Sequence, residues 1–223
     1  MAKRPIFITS KNKPFFEEKT IDFQFFNGFS LTQKAKSIIS LHQSAKTLGI
    51  EKVLEVSSKS DSKMGWALSA FNLLIDFNGD KKISLECAFQ GSKVFEGNIQ
   101  YKDIYHKTSL EAKKDPRLKS SGAIIGFEFE GIFWKNEPKT AFYDWMYIQA
   151  LYQNNLAVIY ELCTYKAFSD IEFNPNKSIN CQARTCAILV SLIEQNQLQE
   201  ALSSKERFIE MVYPKAFVQS GLF

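Results

Sequence analysis

A chain of 223 residues can bury a sizeable core and is within the range of a single domain. Hydrophobic residues make up 45% and charged residues 23%, which is ordinary for a soluble globular protein. Aromatic residues reach 14%, with 20 Phe, so we expect a core or a cleft rich in rings. The net charge of +4 suits an anionic ligand or a nucleic acid without requiring either.

Several protein classes are poorly supported because their residue patterns are missing. The four cysteines form no C-x-x-C pair and no secretory signal is recognisable, so we expect reduced thiols in a cytoplasmic protein. The longest apolar stretch, "CAILVSLI", is far shorter than the about 20 residues of a membrane span. His42 and His106 are isolated and no Gly-rich phosphate loop occurs. This argues against a zinc site, a Ser-His-Asp triad and a P-loop or Rossmann fold.

The first third of the chain mixes extended and helical patterns. "RPIFITS" and "TIDFQFF" predict strands on either side of the turn-like "KNKPFFEEK". "SLTQKAKSIISLHQSAKTLG" predicts a helix that Ser30 or Thr32 caps and Gly49 ends. "KVLEVSS" and "FNLLIDF" predict two more strands, the second ending at the turn "NGD".

The remaining two thirds are richer in helical patterns. "SLECAFQGSKVFEG" predicts a helix directly after the turn, "SLEAKKD" a short helix ending near Pro116, and "AIIGFEFEGIFW" a strand. "TAFYDWMYIQALYQNNLAVIYELC" predicts a long helix broken near Asn154 and Asn155. "NPNK" is a loop, and "CQARTCAILVSLIEQNQL" and "SKERFIEMVY" are the last helices. We therefore predict an α+β fold, a predominantly α-helical single domain over 1–223 with a small β component.

The helix predicted from "SLECAFQGSKVFEG" carries an unusually narrow polar edge. On a helical wheel Glu86, Gln90 and Lys93 fall within roughly 60° of one another, while apolar residues fill most of the remaining circumference. One interpretation is a solvated strip of a partly exposed helix. The other is a helix packed on most sides whose polar edge faces a cleft, because a buried unpaired charge is costly. In that case the carboxylate could take part in proton transfer and the lysine could hold a phosphate.

Three further stretches contain candidate ligand-binding groups, each with a simpler structural interpretation. "LSAFNL" includes Asn72, which is most simply a turn former. "PKTAFYDWMYIQAL" includes Trp145, at the helical spacing typical of core aromatics. "SDIEFNPNKSINCQA" includes Asn180 in an Asx-rich loop; such loops are usually turns and caps, and they also present acceptors for ribose hydroxyls.

In order and spacing, these stretches resemble the NADAR (NAD and ADP-ribose associated) family. The similar segments are "LSAFNL", "LECAFQGSKVF", "SLEAKKDPR", "FWKNEPKTAFYDWMYIQAL" and "SDIEFNPNKSINCQA". They span a family-like core of about 68–193, preceded by a β/α extension over 1–67 that is similar to one branch of the family. Members of that branch resemble antitoxins that strip ADP-ribose from guanine bases of DNA modified by ADP-ribosyltransferase toxins. Cys87 stands where the family commonly has histidine.

The resemblance implies an N-glycosidase, an ADP-ribosyl glycohydrolase with no metal and no cofactor. Glu86 would be the catalytic carboxylate. The implied substrate-binding residues have three roles. Lys93 and Arg117 would bind the pyrophosphate, Asn72 and Asn180 the ribose hydroxyls, and Phe89 or Trp145 would stack on a base. Gln90 would lie beside the carboxylate. The implied partners are ADP-ribosylated DNA or an ADP-ribose-containing small molecule, and a cognate ADP-ribosyltransferase toxin, with no membrane.

Two alternatives remain open at the level of sequence. A non-catalytic reader of ADP-ribose or of modified nucleic acid would use the same rings and basic groups without needing the carboxylate. A toxin-binding partner would depend on its surface rather than on a cleft. Loss of turnover with retained binding, after substitution of the glutamate, would favour the enzyme.

Overall fold

In the computed structural model, which describes residues 1–28, 30–154 and 156–213, helices pack with three small β-sheets. The strands are β1 Ala2–Thr9, β2 Phe16–Phe23, β3 Val53–Glu55, β4 Leu74–Phe77, β5 Lys81–Ser84, β6 Lys93–Phe95, β7 Ile99–Gln100, β8 Ile124–Phe129, β9 Ile132–Lys135 and β10 Ala167–Ser169. The helices are α1 Leu31–Thr47, α2 Lys63–Ala67, α3 Leu85–Gly91, α4 Ser109–Lys114, α5 Arg117–Ser120, α6 Ala141–Asn154, α7 Leu156–Leu162, α8 Gln182–Glu194, α9 Leu198–Ala201 and α10 Lys205–Val212. Short 3₁₀ helices cover Glu96–Asn98 and Lys102–His106.

The first sheet joins the N-terminal strands to β3 and β10. Its strand order is β2-β1-β10-β3; β1 is antiparallel to β2 and to β10, whereas β3 and β10 run parallel. The second sheet is the antiparallel hairpin of β4 and β5. The third is antiparallel throughout, in the order β7-β6-β8-β9. The N-terminal strands thus share a sheet with β10, which lies inside the predicted core of 68–193.

The centre of the molecule is formed by α6 and α8, which pack against each other. Met146, Tyr147 and Leu151 on α6 and Leu189 on α8 are fully buried. The Tyr147 hydroxyl donates to the backbone carbonyl of Leu68 over 2.6 Å, which ties α6 to the segment that follows α2. None of the helices in the described ranges is both long and apolar enough to cross a membrane.

Much of the predicted α+β pattern is confirmed in coarse form. Ser30 caps α1 by accepting a hydrogen bond from the backbone N–H of Gln33, and Gly49 follows the helix with φ +78°. The long helix is divided into α6 and α7; Asn155, at the predicted break, lies outside the described residues. The predicted domain over 1–223 likewise includes 214–223, which are outside them.

Two element predictions are wrong, and the β component is larger than predicted. The stretch 123–134 is not one strand but the hairpin of β8 and β9, because Glu130 and Gly131 both adopt positive φ and reverse the chain. The helix predicted over 84–97 ends at Gly91, and Lys93 lies on β6. The predicted shared helical edge of Glu86, Gln90 and Lys93 therefore does not include the lysine.

The last residue of α3, Gly91, lies in close contact with an aromatic ring. A Cβ on this residue would lie 2.5 Å from Tyr105 Cε1, so the close approach of that ring requires glycine. Beyond it Val94 and Phe95 form strand pairs with β8. Their β-favouring side chains outweigh the helical period that continued through the sequence.

Candidate functional site

A cleft opens where the two parallel strands of the first sheet end. Because β3 and β10 run parallel, the segments 57–59 and 170–173 that follow them lie at the same edge of the sheet. The cleft has a volume of about 470 Å³, within the range of small-molecule sites. The remaining lining comes from the segment after α2 and from α3, α4, α6 and the residues leading into α8.

The beginning of α3 is fixed against this cleft by backbone hydrogen bonds. Ser84 caps the helix by accepting from the N–H of Cys87, and the N–H of Glu86 donates to the carbonyl of Ala70 over 2.9 Å. The side chain of Gln182 holds the segment of Ala70 in place. Its Oε1 accepts a hydrogen bond from the N–H of Ala70 at 2.7 Å, and its Nε2 donates to the carbonyl of Val56 at 2.6 Å. One buried amide thus joins α8, the end of β3 and the segment that positions α3.

The carboxylate of Glu86 lies in the wall of the cleft and is sheltered from bulk water. The residue is 8% exposed, and its Oε1 accepts a hydrogen bond from Gln90 Nε2 at 2.9 Å. Its Oε2 has no hydrogen-bond partner, and the carboxylate forms no salt bridge, within the ranges that the structure describes. One oxygen is therefore held in place while the other is available to a ligand.

Two amide oxygens of the cleft are buried without a partner among the described residues. These oxygens are Gln90 Oε1 and Asn180 Oδ1. Buried acceptors in folded proteins are nearly always paired, so each such group calls for an explanation. Hydroxyl or N–H donors of a bound molecule would satisfy both.

Three lysines give the cleft a cationic rim. Lys59 follows β3, and Lys113 and Lys114 end α4. None of the three forms a salt bridge with a described carboxylate, and Lys113 Nζ lies 5.0 Å from the centroid of the Phe71 ring. In contrast, Glu172 on the same cleft is paired with Lys34 at 2.7 Å. The rim can accept an anionic ligand.

Aromatic rings form the floor beneath the carboxylate. Phe89 lines the cleft and packs against Phe127 and, edge-on at 5.2 Å between ring centroids, against Tyr143. Burial raises the pKa of Tyr143 well above its usual value, and the Glu86 charge adds to this effect. Lys93 lies behind this layer, with Nζ 5.2 Å from the Phe89 centroid; burial lowers its pKa, while the charge of Glu86 acts in the opposite direction.

The residues predicted from sequence divide into two groups. The cleft is lined by Glu86, Phe89, Gln90 and Asn180, and its lining does not include Asn72, Lys93, Arg117 or Trp145. Asn72 forms a turn, with Nδ2 donating to the Trp66 carbonyl at 2.9 Å. Arg117 is paired with Asp103 and Asp115, and Trp145 packs against Trp134.

Other lining residues were not singled out in the sequence. Lys113 and Lys114 belong to "SLEAKKD", whose pattern indicated only a helix. Tyr143 and Gln182 fall in stretches that predict helices, and neither was a candidate. Ser-rich "SSKSDS", directly after a predicted strand, is a signal that could have identified Lys59, because ligands often bind where parallel strands end.

Comparison with models of protein families identifies the family of this chain. The family model described as DarT1-associated NADAR antitoxin matches residues 2–221. The chain belongs to this family. The match confirms the NADAR antitoxin branch and reaches well beyond the resemblance seen over 68–193. None of the curated proteins is significantly similar to this NADAR antitoxin in sequence.

The cysteines and possible metal ligands of this NADAR antitoxin give no further site. All four cysteines are free thiols. In the parts of the chain that the structure describes, no group of three or more His, Cys, Asp or Glu side chains is arranged to hold a metal ion.

Proposed function

We propose that the chain is an N-glycosidase that removes ADP-ribose from guanine bases of DNA and thereby reverses the action of a DNA ADP-ribosyltransferase toxin. Membership of the DarT1-associated NADAR antitoxin family supports the toxin–antitoxin part of this proposal. The observation that supports the chemistry is the sheltered Glu86 carboxylate, with one oxygen held by Gln90 and the other unpaired, in a cleft of about 470 Å³.

The reaction needs a carboxylate of this kind. Breaking a bond between an anomeric carbon and nitrogen passes through an oxocarbenium-like state, which a nearby negative charge stabilises. At an effective dielectric constant near 20, two unit charges about 4 Å apart interact by about 4 kcal/mol. Glu86 can thus supply several kcal/mol to the transition state and can take a proton from the attacking water.

The remaining lining suits the rest of the substrate. Lys59, Lys113 and Lys114 carry the positive charge that the pyrophosphate and the DNA backbone need. The unpaired oxygens of Gln90 and Asn180 can accept hydrogen bonds from ribose hydroxyls. Arg117 has no part in this proposal, because its guanidinium is occupied by two aspartates.

The test is incubation of the protein with guanine-ADP-ribosylated DNA, followed by measurement of released ADP-ribose and restored bases. We expect Glu86→Gln to fold normally and to bind the modified DNA but to lose most turnover. Glu18→Gln, on the exposed face of β2, is the matched control and should behave as the unmodified protein. Near-normal turnover by Glu86→Gln would refute the assignment. Binding without any turnover by the unmodified protein would instead indicate a reader.

A further inference from the structure

Besides Glu86 and the paired Glu172, one more carboxyl group lies in the wall of the same cleft. Asp170 directly follows β10, lines the cleft and is 8% exposed. Its Oδ1 accepts the backbone N–H groups of Glu172 at 3.0 Å and Phe173 at 3.2 Å, so the side chain is fixed in orientation. Its position is set by the parallel pairing of β10 with β3.

Behind Asp170 lies a further acidic group, which is buried. Glu55, the last residue of β3, is 2% exposed. It accepts hydrogen bonds from the backbone N–H of Ile171 at 2.8 Å and from Ser169 Oγ at 2.6 Å. Burial raises the pKa of Glu55, while these two hydrogen bonds favour its ionised form.

Two carboxyl groups that share one dry interior do not both ionise readily. Because donors hold both oxygens of Glu55 but only Oδ1 of Asp170, the proton resides on Asp170. Burial and the charge of Glu55 raise the pKa of Asp170 to about 8. Other titratable groups also interact with Asp170, and none of those named here is basic. They are Tyr143 and Tyr147 on α6, Cys181 and Cys186 at α8, and Glu172 in the loop of Asp170 itself.

The histidine on the far side of this network does not offset the negative charge. His42 Nε2 lies 2.8 Å from Ser169 Oγ, and burial lowers the pKa of His42 to about 4. Since Ser169 donates its own proton to Glu55, the neutral imidazole donates to the serine. No positive charge is thereby brought next to the pair of carboxyl groups.

We propose that Asp170 is the general acid that protonates the departing base, with Glu86 as the base that activates water. The inference rests on the proposed glycosidase function. Water oxygen bonds to the anomeric carbon while Glu86 takes one of its protons. The electron pair of the carbon–nitrogen bond goes to the departing base, which receives the proton of Asp170. One water is thus added across the bond, and proton exchange with solvent moves the proton from Glu86 back to Asp170.

The arrangement gives Glu86 and Asp170 separate roles in the cleft, while Glu172 is paired with Lys34. A base that leaves with an unneutralised negative charge is a poor leaving group, and proton donation typically accelerates such steps about 10²- to 10⁴-fold. Glu86, which accepts a hydrogen bond from an amide, and Asp170, which lies next to a second buried acid, provide the two roles that the reaction needs. A purely structural Asp170 would require no opening to the cleft.

The experiment compares the unmodified protein, Asp170→Asn and Asp80→Asn, a control in the exposed turn after β4. Turnover of guanine-ADP-ribosylated DNA is measured from acidic to alkaline pH. We expect turnover by the unmodified protein to fall above pH about 8. Asp170→Asn keeps the acceptor for both backbone N–H groups, so it should fold. It should lose about 10²-fold or more in kcat with little change in KM, and the alkaline fall should disappear. Asp170→Glu should recover part of kcat.

A second measurement does not depend on turnover. Infrared difference spectra of the unmodified protein should contain the carbonyl band of a protonated carboxyl group at neutral pH, and Asp170→Asn should lack it. Absence of that band in the unmodified protein, or an alkaline fall that persists in Asp170→Asn, would overturn the inference while the glycosidase function stands. If the unmodified protein releases no ADP-ribose, the glycosidase function fails, and the general acid fails with it.

Discussion

Gln90 Nε2 donates to Glu86 Oε1 across one turn of α3, at 2.9 Å. The direction of this bond fixes the orientation of the amide, because the carboxylate accepts and only the NH₂ group can donate. Gln90 Oε1 consequently remains without a partner among the described residues. A single amide therefore both orients the proposed catalytic carboxylate and offers an acceptor to the substrate.

Replacing this amide should slow the reaction without unfolding the protein. Gln90→Met keeps the length of the side chain and a good helix propensity but cannot donate to Glu86. We expect kcat to fall by about tenfold to a hundredfold, because small displacements of a catalytic group carry losses of that size. Steady-state kinetics on ADP-ribosylated DNA measure the change. Gln43→Met, on the exposed face of α1, is the control, and equal rates for both variants would contradict an orienting role.

The lysine rim predicts a dependence of binding on salt. Lys113→Ala and Lys114→Ala should each raise KM for modified DNA and leave kcat within about twofold. If each lysine neutralises one phosphate, each variant should also reduce the slope of log affinity against log salt by about 1. Titrations at several salt concentrations test this.

A lysine of the same region provides the control for the rim. Lys119 is exposed on α5 and is not among the residues that line the cleft. Lys119→Ala should keep both the affinity and the salt slope of the unmodified protein. A similar loss in all three variants would indicate a diffuse charge effect rather than a phosphate site.

The sequence predicts the polar edge of α3 but not the residue at which this helix ends. Ser84 as a cap and the spacing of Glu86 and Gln90 are local features, and the structure has them on one helix. After Gly91 the chain enters β6, which pairs with β8, more than 30 residues after Gly91. Local periodicity cannot report a contact of this kind, so Lys93 was assigned to the wrong element.

The cleft itself depends on pairings between distant parts of the chain. β3 and β10 are short strands more than a hundred residues apart, and only their parallel pairing brings Lys59 and Asp170 to one edge. The family resemblance drew attention to Glu86, Phe89 and Asn180, which do line this cleft. It could not identify residues whose role depends on their neighbours in space.

The close approach of Gly91 and Tyr105 predicts a stability change. Gly91→Ala would place a Cβ 2.5 Å from Tyr105 Cε1, so the ring must move. We expect the free energy of unfolding to decrease by about 1–3 kcal/mol, the usual cost of overpacking a core. Denaturant unfolding measures this. Gly79→Asn, in the open turn after β4 where asparagine tolerates positive φ, should be nearly neutral. A neutral Gly91→Ala would show that the ring is free to move aside.

Arg117 should matter for stability and not for catalysis. Its guanidinium donates to Asp115 Oδ1 from Nε at 2.9 Å and to Asp103 Oδ2 from Nη2 at 2.7 Å, and Lys107 Nζ adds a bond of 2.6 Å to Asp115 Oδ2. Arg117, together with Lys107, holds the pKa of Asp115 well below its usual value.

A carboxyl group whose pKa is lower in the folded state stabilises the protein above its unfolded pKa, near 4, and loses that contribution as the pH falls below it. Asp115→Asn and Arg117→Ala should therefore lower Tm by several degrees at neutral pH. For Asp115→Asn the difference from the unmodified protein should shrink progressively below pH about 4. Thermal unfolding across this range measures the effect, while turnover at a temperature where each variant is folded should be unchanged. A loss of turnover by folded Arg117→Ala would indicate that this arginine binds the substrate. A difference in Tm between Asp115→Asn and the unmodified protein that stays constant with pH would exclude the titration of Asp115 as its cause.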